Sequence, residues 1–90
     1  MKISVLLFAT LREAAGADRV EMELPEGATP RRLAETLAES YPKLRPHLQA
    51  MAFAIDGEFV AADMVLRSAE ELALLPPVSG GGQYSVISVQ

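Results

Sequence analysis

The sequence predicts an α+β domain, a mixed sheet of about five strands packed on one main helix, and three features carry that reading. Residues 19–24 alternate strictly between charged and apolar, the pattern of a strand with one solvated face. Leu33, Leu37 and Tyr41 recur at four-residue spacing behind Thr29-Pro30, the pattern of an amphipathic helix with a ready start. Asp56-Gly57, set between two short runs rich in apolar residues, marks a two-residue hairpin turn.

Each element follows in turn. Lys2 to Ala9 is rich in large and β-branched apolar residues, with Ile3, Val5 and Leu7 on one face and Leu6 and Phe8 on the other. Apolar residues on both faces place this strand in the interior of the sheet. Thr10-Leu11-Arg12-Glu13 fits a capping box, and Gly16 is placed to end the turn, so a short helical turn is expected next. In the second strand, Arg19 to Leu24, Val20, Met22 and Leu24 face inward; it should pair antiparallel with the first. Pro25-Glu26-Gly27 reverses the chain, Thr29 is a good N-cap, and Pro30 sits at the first helical position, where its missing N–H costs nothing.

The main helix buries Leu33, Leu37, Ala34 and Ala38 and is stopped by Pro42. Lys43 to Ala50, interrupted by Pro46, is expected to be a loop with another helical turn, its Leu44 and Leu48 covering a sheet end. Met51 to Ile55 and Glu58 to Val60 are the arms of the hairpin, Ala61 to Arg67 is irregular, and Ser68 to Glu71 turns the chain again. Leu72 to Leu75, apolar throughout, is the last strand, expected in the centre beside the first. Pro76-Pro77 ends it, because neither proline can donate to a ladder.

Ninety residues make one small domain with a single core, and half are hydrophobic but only five aromatic, so that core is mainly aliphatic. The absence of cysteine excludes disulfides, thiolate metal sites and a cysteine nucleophile together. A net charge of −4 argues against nucleic acid as a partner, whose phosphates need a basic patch. The apolar run near the N-terminus is too short for a membrane span. Arg12 and Glu13 separate it from Ala15-Gly16-Ala17, so it does not fit a secretory signal, and the expected location is the cytoplasm. His47 is the single histidine; with no partner residues of the right type it points to neither a metal cage nor a catalytic triad. Gly80-Gly81-Gly82 lacks the lysine and following helix of a phosphate loop.

What remains is an arm. Pro76-Pro77-Val78 holds the chain extended, and glycines with no side-chain bulk follow. Such an arm suits the delivery of a backbone carboxylate down a narrow channel. Residues Leu75-Pro76-Pro77-Val78-Ser79-Gly80-Gly81, with the opening Val5-Leu6-Leu7-Phe8-Ala9-Thr10-Leu11-Arg12-Glu13, resemble the small subunits of molybdopterin synthase. These are ubiquitin-like sulfur carriers with a β-grasp fold, and the likeness runs from Met1 to Gly81.

The resemblance implies a β-β-α-β-β-β order, a carrier domain over residues 1–81 with its arm at 76–81, and a thiocarboxylate on Gly81, with Gly80 before it keeping the chain thin. It implies an adenylating, E1-like enzyme that activates Gly81 with ATP, no cofactor bound permanently, and a large synthase subunit as the docking partner. Phe8, Arg12 and Leu75 would contact that partner, together with Pro76, Pro77 and Val78 of the arm. Runner-up functions are a thiamine or tRNA-thiolation carrier and, from a different class, a β-grasp interaction module with a structural tail.

Two departures stand out. Where many members of the family have an aspartate-glycine pair, this chain has Ser68-Ala69-Glu70-Glu71. The pattern of the family also ends at the second glycine, whereas Gly82 to Gln90 follow here. Left in place, those residues deny Gly81 a free carboxylate. Three explanations are open: removal by a processing protease, the beginning of a fused large subunit, or a diverged relative that no longer carries sulfur. Residues 84–89, uncharged and β-prone, are expected to add as a strand to an exposed sheet edge of the same domain or of another copy.

Overall fold

In the computed structural model, which describes residues 1–68 and 70–77, the chain runs β1 (Lys2–Leu7), α1 (Ala9–Ala15), β2 (Arg19–Glu23), α2 (Pro30–Ser40), a 3₁₀ segment (Pro42–Ala50), β3 (Ala52–Ile55), β4 (Glu58–Val60) and β5 (Glu71–Leu75). The five strands form one mixed sheet in the order β2-β1-β5-β3-β4. The expected α+β, β-grasp arrangement is the one observed. β5 lies at the centre, parallel to β1 through Val5 opposite Leu72 and Leu7 opposite Leu74, and antiparallel to β3.

Alternation along the strands sends one set of residues to the core. Ile3, Val5 and Leu7 of β1, Phe53 of β3 and Leu72 and Leu74 of β5 are buried against Leu33, Ala34, Leu37 and Ala38 of α2. The helix starts as its sequence dictates: the Arg32 amide donates to Thr29 Oγ1 at 3.2 Å and Pro30 occupies the first turn. Asp56 and Gly57 both have positive φ, 53° and 80°, the geometry of the primed turn that matches the twist of a hairpin.

Two expectations need correction. Thr10 does not cap α1. The helix starts two residues earlier, with extended Phe8 as N-cap and no side-chain bond; the Phe8 carbonyl accepts from the Leu11 and Arg12 amides at 3.0 and 3.4 Å. The cause is long-range. The Phe8 amide donates to the Leu74 carbonyl, which holds Phe8 in strand geometry and brings the turn to Ala9, while Leu11, fully buried, anchors the helix from below. Gly16, at φ 74°, stops it as expected.

Second, Pro42 to Ala50 is a continuous 3₁₀ segment rather than a loop. Prolines fix φ in the range this helix uses, and fully buried Leu44 with half-buried Leu48 pins it over the end of the core, as expected of both leucines. The strand bounds also shift slightly: β1 ends at Leu7, and β5 begins at Glu71.

The irregular residues 61–67 are held at the start of α2. The Arg31 amide donates to the Ala62 carbonyl and the Leu66 amide to the Ala28 carbonyl, both at 2.9 Å, and Leu66 is buried. At the following turn the Arg67 amide donates to Glu70 Oε1 at 2.8 Å, so Glu70 is a turn residue, as its place in the sequence implied.

The uncovered sheet face and the root of the arm

α2 covers one face of the sheet; the residues between the buried ones point to the other. Register defines this second face. Leu6 of β1 lies opposite Ala73 of β5, Ala73 opposite Ala54 of β3, and Ala54 opposite Phe59 of β4, a single row across four strands. One step toward the end of β5, Leu75 lies opposite Ala52 and beside the position of Phe8. The two alanines form a floor, and Leu6, Phe8 and Leu75 on one side and Asp56, Gly57 and Phe59 on the other form walls around a groove of about 320 Å³, which Glu71 also lines.

Phe8 is 38% and Phe59 50% exposed, which makes them, with Val65, the large hydrophobic side chains most open to solvent among the described residues. Two aromatic rings on the same uncovered face depart from the scattered apolar exposure normal for a soluble surface. The opposite end of the face is polar. Ser4 Oγ donates to Glu21 Oε2, and Arg19 reaches across β1 to Glu71, both at 2.9 Å. Arg19 and Glu71 are each about half exposed, so this ion pair is a rim feature of small energetic weight.

The sequence-predicted residues fall as follows. Phe8 and Leu75 line the groove. Arg12 sits beside it on α1, exposed, where it shares a shallow depression with Leu6, Phe8, Asp18 and Arg19. Pro76 is half-buried and Pro77 exposed, continuing from the end of β5 at the lip of the groove. Val78, Gly80 and Gly81, and the extension 82–90 with its expected strand, lie outside the described residues.

Sequence reasoning left Leu6, Ala54, Phe59 and Ala73 out of the site. An outward aromatic in the hairpin was visible in Glu58-Phe59-Val60, because the turn at Asp56-Gly57 fixes which residues share a face. That Phe59 and Phe8 belong to one surface depends on β5 lying between β1 and β3, which alternation within a strand does not reveal.

Among the described residues, the remaining polar side chains gather into no catalytic constellation. His47 is half-buried near the end of the 3₁₀ segment, and no cluster of three metal-ligating side chains occurs among the described residues. No helix among them is long and apolar enough to cross a membrane. A second cleft of about 320 Å³ lies on the helix side, between Arg31, Ala34, Leu48, Met51, Phe53 and Ala62. It opens on the covered side, where Phe53 pairs with Leu74 of β5, so the sheet itself separates it from the groove.

Fold and site together define a ubiquitin-like β-grasp domain with one sheet face left apolar beside its central, final strand. Its sequence relatives and structural neighbours give that class a narrower setting. The chain belongs to the ThiS family, whose pattern spans residues 5–81. It is 31% identical over 81 residues to the molybdopterin synthase sulfur carrier subunit of Arabidopsis thaliana, covering 90% of this chain and 84% of that one. It is 35% identical over 83 residues to the subunit of the same name from Chlamydomonas reinhardtii, covering 90% and 100%. The crystal structure of SAMP1 from Haloferax volcanii superposes with a TM-score of 0.78 at 29% identity, over 90% of this chain and all of that one. A chain of the complex of subunits 1 and 2 of molybdopterin-converting factor from Helicobacter pylori shares the fold, with a TM-score of 0.62 at 20% identity over 90% of this chain and all of that one.

Proposed function

We infer that this chain is the sulfur-carrier small subunit of molybdopterin synthase, presenting sulfur as a thiocarboxylate on Gly81 to form the dithiolene of the molybdenum cofactor in the cytoplasm. The observation that carries the reading is the placement of Leu75-Pro76-Pro77. The central strand runs along the uncovered apolar face and leads directly into the arm, so docking that face aims the chain end. The kinship with named sulfur carrier subunits over nearly the whole chain supports it.

In this reading residues 1–81 are the carrier and 82–90 a segment to be removed. Water cleaves the Gly81–Gly82 peptide bond in a processing protease, leaving a carboxylate on Gly81. In the adenylating enzyme a carboxylate oxygen attacks the α-phosphorus of ATP and pyrophosphate leaves. A donor persulfide attacks the carbonyl of the resulting acyl-adenylate and AMP departs; a thiol reductant then attacks the donor sulfur of the acyl disulfide, forming a disulfide with the donor and releasing the thiocarboxylate. The large subunit then accepts the arm, Pro76 to Gly81, while Phe8, Arg12 and Leu75, joined by Leu6 and Phe59, make the docking contact. The thiocarboxylate sulfur attacks a carbon of the pterin precursor and displaces an oxygen leaving group, water then cleaves the acyl–sulfur bond to return the carboxylate, and two such transfers supply the two sulfurs of the dithiolene. Gly80 and Gly81 keep the arm thin where it enters the partner.

Intact mass after incubation with the protease, adenylating enzyme, ATP and sulfur source tests the chemistry: the expected product ends at Gly81 with one oxygen exchanged for sulfur. A chain that keeps all 90 residues and gains no sulfur overturns the reading in favour of a β-grasp interaction module. Reconstitution with the large subunit separates the molybdopterin branch from thiamine or tRNA thiolation, since only the first yields dithiolene.

A further inference from the structure

The outer groove is mainly apolar, concave and open, with Asp56 and Glu71 its charged lining residues, and the chain itself carries an uncharged segment that can fill its apolar part. We propose that residues 84–89 of the same chain occupy this groove, so that the unprocessed protein covers its own uncovered face. Three observations point to this occupant. The floor is Ala54 and Ala73, small enough to admit side chains from above, and the walls include both exposed phenylalanines. At about 320 Å³ the groove is near the bottom of the range for small-molecule pockets, a fit for a pair of aliphatic side chains. Tyr84-Ser85-Val86-Ile87-Ser88-Val89 carries no charge, and its alternation puts Ile87 and Val89 on one side.

The tether has the right place and length. Leu75 is itself a wall of the groove, and residues 76–83 span at most ~29 Å when extended, ample for a return. A reversal centred on Gly81 brings Ile87 back to the level of Leu75 and Val89 to that of Ala73. Glycines at 80–82 permit that reversal without side-chain clash. A segment so closely tethered meets its groove at an effective concentration on the order of millimolar, which favours its own domain over a second copy. The occupancy stands on the groove and the segment alone. Its consequence, that removal of 82–90 both frees the Gly81 carboxylate and uncovers the docking face, rests on the carrier reading.

Methyl and aromatic NMR on the full 90-residue chain tests the occupancy without sulfur or partner enzymes, so its failure is distinct from failure of the carrier reading. The expected result is contacts from the Ile87 and Val89 methyls to the Phe59 ring and the Ala73 methyl. They should be independent of protein concentration and lost in the full-length I87D/V89D variant, with shift changes confined to Leu6, Phe8, Ala54, Phe59, Ala73 and Leu75. Identical spectra of this face in the two chains overturn the proposal. Contacts that appear only as concentration rises, together with a dimeric mass, overturn it in favour of a second copy as occupant.

Discussion

The two faces of the sheet are built from the same strands and differ by one residue in phase. On the covered face Ile3, Val5, Leu7, Leu72 and Leu74 are at most 2% exposed and packed with α2. On the other, Leu6, Ala73 and Leu75 are half-buried, while Phe8 and Phe59 stand in solvent. Both sets are apolar, so hydrophobicity alone does not separate stability from recognition. What separates them is the helix: α2 covers one face, and nothing among the described residues covers the other. The comparison predicts that changes on the first face cost folding and leave docking chemistry alone, and that changes on the second do the reverse.

The sharpest separation comes from the arm. Gly81→Val should abolish sulfur transfer in a reconstituted synthase while the urea denaturation curve of the variant stays that of the parent; normal transfer would remove Gly81 from the mechanism. On the covered side, Leu37→Ala should lower stability by about 2–5 kcal/mol, because Leu37 is 2% exposed in the core and truncation leaves a cavity. Its measure is chemical denaturation, and a change below 1 kcal/mol would break the contrast.

On the uncovered side, Phe59→Asp should weaken binding to the large subunit by about tenfold or more, with stability altered by only ~0.5 kcal/mol. Titration calorimetry beside denaturation reads both numbers; a large loss of stability with intact binding would reverse the assignment of the faces. Thr29→Ala removes the bond that caps α2 and should cost about 1 kcal/mol. The smallest effect is expected from Arg19→Ala, which breaks the exposed pair with Glu71 and should fall within about 1 kcal/mol in denaturation at low salt, and less at high salt.

Local chemistry was legible in the sequence wherever it also settled the structure. Thr29-Pro30 starts α2, Asp56-Gly57 turns the hairpin, Pro76 ends β5, and the apolar run Leu72 to Leu75 takes the centre of the sheet. Where the deciding partner is distant, local signals misled. Thr10 has the right residues around it for a cap, but the hydrogen bond between Phe8 and Leu74, 66 positions away, starts α1 earlier. Pro46 reads as a breaker, yet fully buried Leu44 holds the segment in 3₁₀ form around it. Of the residues named from the family resemblance, Phe8 and Leu75 line the groove and Arg12 lies beside it, whereas Phe59 joins them only through the strand order.

The same strand order bears on how the protein is made. β5 is the last of the described strands to leave the ribosome, yet it fills the gap between β1 and β3. Until it arrives, the earlier strands can form only two detached ladders, β1 with β2 and β3 with β4, each too small to persist. Domain assembly therefore waits for synthesis to reach Leu75, and the arm begins at the very next residue. A chain that stalls before that point has neither a finished body nor an arm.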